Sequence, residues 1–193
     1  MRTIRRHNID PFKGIIAGAA GGLVAAWVMN QFQALWSRMT HGVERRHGAQ
    51  SLQQGSPEHG VARELQERGQ DREEDDAADR TAVAVSEGLF GFKLAEKGQK
   101  EIAGTVVHYA FGMATGSLYG AMAELTPEAT AGAGLPFGAA VWLIADEIIV
   151  PTLGLSKPAK DYPLSTHAYA FASHLVYGVT TEIARREIRR ALD

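Results

Sequence analysis

Two long runs without charged side chains constrain the fold of this chain more than any other feature. Residues 15–36 and 102–123 each contain 22 amino acids with no Asp, Glu, Lys or Arg. About 20 apolar residues in a helix cross the hydrocarbon core of a bilayer. Residues 133–155, interrupted only by Asp146 and Glu147, and the shorter run 164–181 are two further candidates. The sequence therefore predicts an all-α integral membrane protein, a four-helix bundle.

Small residues recur at every fourth position in these runs, which places them on one face of each helix. Such faces let two backbones approach closely, and helices associate in lipid in this way. A soluble bundle with a glycine-rich core is the alternative, disfavoured because each glycine weakens a soluble helix by about 1 kcal/mol. We expect helix packing at these glycines: Gly14, Gly18, Gly22, Gly112, Gly116, Gly120 and Gly178.

The chain divides into three regions by charge. Residues 1–36 combine a basic N-terminus with the first transmembrane helix, and residues 101–193 hold three further helices and a basic C-terminus. The connecting region 37–100 is charged, and residues 58–80 indicate a solvated segment or a docking surface for a partner. Residues 81–95 are too short for a confident span, so we predict an interfacial amphipathic helix there.

Basic residues flank the outer spans, and such residues favour the cytoplasmic side. The flanking residues are Arg2, Arg5, Arg6 and Lys13 before the first span, and Arg185, Arg186, Arg189 and Arg190 after the last. Both termini are therefore expected in the cytoplasm, which requires an even number of spans. A span at residues 81–95 would reverse the C-terminal orientation.

Ionisable residues lie at similar depths in the antiparallel spans and are costly in hydrocarbon without partners. His108, Asp146, Glu147 and His174 form the main candidate cluster, with Asp146 expected to face inward and Glu147 to lie nearer the loop or water. Further polar candidates are Asn30 and His167 at the same end, and Glu124 and Glu182 at the opposite end. We interpret His167 as a solvated histidine at a helix end.

The chemistry of the cluster has four interpretations. A proton relay is one, because histidine titrates near neutral pH. A divalent metal is another, since imidazole and carboxylate bind several transition metals. Haem b held between His108 and His174 is a less favoured third. A hydrogen-bonded network that only fixes helix packing is the fourth.

Several function classes lack support in the sequence. The chain has no cysteine, so disulfides and thiolate metal sites are excluded. It has no phosphate-binding glycine loop, nucleophile elbow or zincin helix. It also has no basic–aromatic pattern of the kind that binds nucleic acid.

The second half resembles the YagU family of bacterial inner-membrane proteins over residues 108–186. The resemblance rests on Tyr119-Gly120, Ala123-Glu124, Pro127, Pro151-Thr152-Leu153-Gly154-Leu155, His174-Leu175-Val176, Glu182-Ile183 and Arg185-Arg186. It implies a multi-pass protein of the bacterial inner membrane, in a family of unknown biochemical function that is associated with acid resistance. His108, His174 and Glu182 match motif positions whose roles are not known.

Together these observations predict an inner-membrane protein without established enzymatic activity, whose polar interior relays protons or binds a metal. An accessory subunit of a larger membrane complex, docked through region 37–100, is one alternative. A membrane metalloenzyme or haem-binding protein is the other. The lipid bilayer is the expected partner, together with copies of the chain or subunits of a membrane complex.

Overall fold

The computed structural model describes residues 9–39, 97–153, 156 and 158–193, and for residues 97–101 it gives the backbone alone. These residues form four helices and no strand. The helices are α1 (Pro11–Met39), α2 (Lys97–Leu125), α3 (Leu135–Thr152) and α4 (Leu164–Ala191). The prediction of an all-helical fold is confirmed for this part of the chain. By length and composition, α1 and α3 are able to cross a membrane.

Helix α1 begins with a strong local start signal. The Asp10 carboxylate accepts hydrogen bonds from the backbone N–H groups of Phe12 and Lys13, each at 3.1 Å. Asp10 therefore caps two of the free N–H groups at the start of the helix. Pro11 occupies the first helical position, where its missing N–H is not needed.

Glycines join α1 to α2 in an antiparallel pair. A Cβ atom on Gly18 would lie 2.1 Å from the carbonyl oxygen of Gly116, and one on Gly22 would lie 2.1 Å from that of Gly112. Gly14 meets Gly120 in the same register. The two backbones are therefore in contact, at a separation that no larger side chain allows.

A second glycine contact joins α3 to α4, also antiparallel. A Cβ atom on Gly134 would lie 2.1 Å from the Gly178 carbonyl oxygen, and one on Gly138 would lie 2.1 Å from that of His174. Gly134 also has a φ of 86°, a left-handed conformation that suits glycine just before α3 begins. The close approach brings the following turns of α3 against the polar face of α4.

Helix α3 is not a uniform α-helix. Its first part, Leu135–Val141, is α-helical, and Trp142–Ile149 continues as a π-helix. A short α-helical stretch, Val150–Thr152, ends the helix one residue after Pro151. Proline lacks a backbone N–H and clashes with the preceding turn, so an ending here is expected.

The distribution of side chains is the reverse of that in most soluble bundles. The buried positions hold mainly glycine, alanine and polar or charged residues, whereas large apolar side chains lie on the outside. The exposed apolar residues include Val24 and Trp27 of α1, Phe111 and Leu118 of α2, and Leu143, Ile144 and Ile148 of α3. Apolar surface of this extent indicates contact with a membrane or a partner.

Candidate functional site

Helix α4 carries most of the buried polar groups of the bundle. Few of its large apolar side chains are exposed, because α1, α2 and α3 all contact it. The polar or charged residues on its buried face follow the helix from one end to the other: Ser173, His174, Tyr177, Thr181, Glu182, Arg185 and Arg189. The candidate site is therefore built around α4.

His174 and Asp146 lie next to each other in the bundle interior. His174 Nδ1 lies 3.6 Å from Asp146 Oδ2, and both side chains are almost fully buried. The same ring nitrogen lies 2.9 Å from the Ala170 carbonyl oxygen. This short contact identifies Nδ1 as the protonated nitrogen, which donates to the carbonyl and leaves Asp146 at ion-pair distance. No hydrogen bond to Asp146 Oδ2 is formed within the described residues.

The π-helical part of α3 directs two adjacent carboxylates toward α4. In a regular α-helix, neighbouring side chains point about 100° apart, so Asp146 and Glu147 were not expected to face the same helix. Both lie within Trp142–Ile149, and each contacts a different histidine of α4. π-Helical turns often occur at functional sites. Both carboxylates of this π-helical segment therefore contact α4.

His167 does not behave as a solvated histidine at a helix end. Its Nδ1 lies 2.7 Å from Glu147 Oε1, and its Nε2 lies 3.0 Å from the carbonyl oxygen of Ala159. The two side chains are only 20% and 12% exposed. That interpretation was wrong because Glu147 lies against α4 and the turn Ala159–Asp161 folds back over the start of this helix.

His108 lies on α2, about one turn before Gly112. The Gly112 carbonyl oxygen accepts a hydrogen bond from the Tyr177 hydroxyl at 2.7 Å. Helices α2 and α4 are parallel, so this contact sets each α2 residue level with the α4 residue 65 positions later in the chain. In that register His108 is level with Ser173, the neighbour of His174. Its half-buried ring packs edge-on against Tyr109 at 5.7 Å. Membership of His108 in the cluster stays a prediction.

Asn30 also lies at this end of the bundle. Its side-chain nitrogen is 3.4 Å from the Tyr109 hydroxyl, which links α1 to α2 next to His108. Three or more His, Asp or Glu side chains do not converge into a metal-binding group anywhere in the described residues. The structure therefore adds no support to the hypothesis of a divalent metal at this cluster.

Buried ion pairs occupy the opposite end of α4. Glu124 of α2 receives two contacts from Arg189, Nε at 2.7 Å and Nη2 at 3.3 Å. Glu182 receives two contacts from Arg185, at 2.7 and 3.0 Å, and a further one from Arg186. Bidentate pairs of this kind are the strong form of the interaction.

The ends of α1 and α4 are tied together beside these pairs. Lys13 Nζ donates to the Leu192 carbonyl oxygen at 2.6 Å and lies 3.4 Å from the Asp193 carboxylate. Arg189 also donates to Asp193, and this hydrogen bond is the main reason that the pKa of Asp193 lies below its ordinary value. The hydrogen bond to Glu124 in turn raises the pKa of Arg189.

Two features of the site were missed in the sequence. Arg185 and Arg189 were interpreted only as flanking charges, although they follow Glu182 by three and seven residues on one helix face. Tyr177 was not among the candidate residues, yet its hydroxyl also contacts Thr115 Oγ1 at 2.8 Å. The helical spacing of Arg185 and Arg189 from Glu182 could have revealed the ion pairs. No local sequence pattern predicts the contact between Tyr177 and Thr115.

Some predictions fall on parts of the chain that the structure does not describe. The solvated segment 58–80 and the amphipathic helix 81–95 lie outside the described residues. The docking surface was expected in region 37–100. Of this region, the structure describes only residues 37–39 and 97–100. These predictions, and that of an accessory subunit, stay predictions.

Comparison with known proteins gives one match. The model of a family described as a protein of unknown function (DUF1440) matches residues 88–183, just under half of the chain. This range includes the whole of α2 and α3 and the part of α4 with His167, His174 and Glu182. No curated protein and no solved structure matches the chain.

Proposed function

We propose that the chain is a four-span protein of the bacterial inner membrane that conducts protons through its polar interior. One observation carries the proposal: His174 and Asp146 form a buried pair inside helices whose outer surface is apolar. Ionisable residues inside membrane helices commonly mark proton or ion pathways. A histidine is suited to the task because its charge changes between about pH 5 and 8.

The helix packing supports the proposal of four spans, although only two helices are apolar enough to be identified alone. Helix α2 lies antiparallel to α1 along the glycine rows, and α4 lies antiparallel to α3. Many of the polar residues that lower the apolarity of α4 are buried against the other helices, namely Ser173, His174, Thr181, Glu182, Arg185 and Arg189. A helix can therefore cross the bilayer with charged residues if the bundle covers them.

The polar side chains along α4 offer candidate proton-transfer sites between the two ends of the bundle. Below the His174–Asp146 pair, the Tyr177 hydroxyl contacts Thr115, and the Thr181 hydroxyl donates to the Tyr177 carbonyl at 2.8 Å. Glu182 directly follows Thr181. Hydroxyl groups both donate and accept hydrogen bonds, so the proposed proton path uses them together with bridging water between the histidine and the carboxylate.

The basic residues at the joined ends of α1 and α4 support the proposal that both termini lie in the cytoplasm. Reporter fusions at the two ends test this orientation. The resemblance to the YagU family suggests a role in acid resistance, which proton movement would suit. Growth of a deletion strain after acid exposure, with and without the natural gene, tests that role.

Proton flux into liposomes is the direct test of the proposed activity. The purified chain is reconstituted around an internal pH-sensitive dye, and a potassium diffusion potential drives protons inward. We expect flux above that of empty liposomes, and we expect His174→Gln and Asp146→Asn each to abolish the excess. Glu187→Gln is the matched control, because this carboxylate is exposed and pairs only with nearby Arg190 in the described contacts.

Each result has a defined meaning. Flux equal to that of empty liposomes, from protein with intact helical circular dichroism, would contradict the proposal and favour a structural polar network. Flux that survives both variants would contradict the assigned pathway. Subunits that co-purify with an inactive chain would favour the accessory-subunit alternative.

A further inference from the structure

His167 has a hydrogen-bond acceptor at each of its two ring nitrogens. Glu147 Oε1 lies 2.7 Å from Nδ1, and the Ala159 carbonyl oxygen lies 3.0 Å from Nε2. A neutral imidazole carries a single N–H, so it can donate to only one acceptor. With an ionised Glu147, the other nitrogen would place its lone pair against an oxygen atom.

Both contacts are satisfied when the His167–Glu147 pair holds one proton more. Imidazolium donates from both nitrogens, to the carboxylate and to the carbonyl. A protonated Glu147 that donates to a neutral ring, with Nε2–H still directed to Ala159, gives the same proton count. The observed geometry is therefore that of the proton-loaded pair, whichever of the two groups carries the charge.

We infer that His167 and Glu147 form a second proton-binding site, which fastens the turn Ala159–Asp161 to α3 and α4 while it holds its proton. Loss of the proton leaves a single N–H for two acceptors. The bond to the ionised carboxylate is retained because charge-assisted hydrogen bonds are the stronger ones. The contact with the Ala159 carbonyl is then lost, and the turn is released as the pH rises.

The groups around His167 support release of the turn as the pH rises. Glu147 is the charged group that α3 presents to it, whereas the turn presents a backbone carbonyl, with Lys160 and Asp161 exposed. Asp146 and His174 form the next pair along the same helix–helix contact, two turns of α4 away. The turn thus lies at the end of the bundle that leads to the His174–Asp146 pair.

This inference deepens the proposed function by giving the conduction site a pH-dependent entrance, and it rests on that function only for its consequence. The pH-dependent attachment of the turn Ala159–Asp161 to α3 and α4 can be measured without measuring proton flux. The chain has no cysteine, so two introduced cysteines carry spin labels without background. We choose Lys160→Cys in the turn and Ile183→Cys on α4, because both positions are exposed.

Distances between the two labels are measured by pulsed electron paramagnetic resonance in lipid nanodiscs at pH 5.5 and 8.5. We expect one narrow distribution at pH 5.5, and a broader or displaced one at pH 8.5. Glu147→Gln should keep the narrow distribution at both pH values, because its amide N–H can donate to Nδ1 while Nε2–H still donates to Ala159. The control Glu187→Gln should retain the full pH dependence of the parent.

Equal distributions at the two pH values in the parent would overturn the inference. A pH dependence that persists in Glu147→Gln and in His167→Gln would also overturn it, by assigning the change to another group. Proton flux without a pH-dependent change in the label distance would contradict the pH-dependent entrance, but it would not contradict proton conduction. A pH-dependent change in the label distance without proton flux would contradict proton conduction, but it would not contradict the proton-binding site at His167 and Glu147.

Discussion

Glu124 and Arg189 form a two-contact ion pair between α2 and α4, at the same 65-residue separation that relates Gly112 to Tyr177. The two helices therefore keep one register from the middle of the bundle to its charged end. Both side chains of the ion pair are at most 5% exposed. A buried charge that loses its partner is costly, so this pair fixes how the helices align.

Removal of one partner of this pair should strongly destabilise the bundle. We expect Glu124→Ala to lower the free energy of unfolding by about 3 kcal/mol, because Arg189 would be left without its main acceptor. Arg190→Ala, which breaks an exposed pair with Glu187, should cost under about 1 kcal/mol. Reversible unfolding in mixed micelles measures both. Equal costs would contradict the burial of the Glu124 pair.

The glycine contact between α1 and α2 should not tolerate a side chain. A Cβ atom on Gly116 would lie 2.4 Å from the Gly18 carbonyl oxygen and 2.8 Å from Gly22 Cα. We therefore expect Gly116→Leu to separate the helices and lower the unfolding midpoint. Ala114→Leu is the matched control, because Ala114 is exposed on the same helix. If the two variants unfold alike, this face of α2 does not pack against α1.

The stability of the joined helix ends should depend on acid pH through Asp193. Its pKa is lowered in the folded chain by the hydrogen bond from Arg189, so its stabilisation is complete above its unfolded pKa of about 3.9. This contribution disappears as the pH falls through the lower folded value. Asp193→Asn should therefore flatten the dependence of unfolding free energy on pH below about 4. An unchanged slope would contradict the interaction.

The helices and their glycine contacts could be predicted because they depend on local periodicity. The row Gly14, Gly18 and Gly22 indicates one helix face by spacing alone, and the structure places it against the second row. The inward position of Asp146 followed from the same four-residue spacing. These features require no knowledge of the loops or of helix rotation.

The partners of Glu147 and His167 could not be predicted in this way. The sequence gives no sign that this part of α3 is π-helical, and helical geometry alone predicts that adjacent carboxylates point in different directions. The contact of His167 with Ala159 depends on the path of the chain between α3 and α4. Tertiary packing, rather than propensity, decides both.

Lipid exposure of the outer apolar side chains tests the central claim of a membrane-spanning bundle most directly. Single spin labels at Leu118→Cys and Ile144→Cys, both exposed on the bundle surface, are compared in proteoliposomes with Lys160→Cys. We predict that relaxation at positions 118 and 144 is enhanced by oxygen, which concentrates in lipid, and not by a water-soluble nickel complex. Position 160 should respond to the nickel complex. Strong nickel access at positions 118 and 144 would contradict the account.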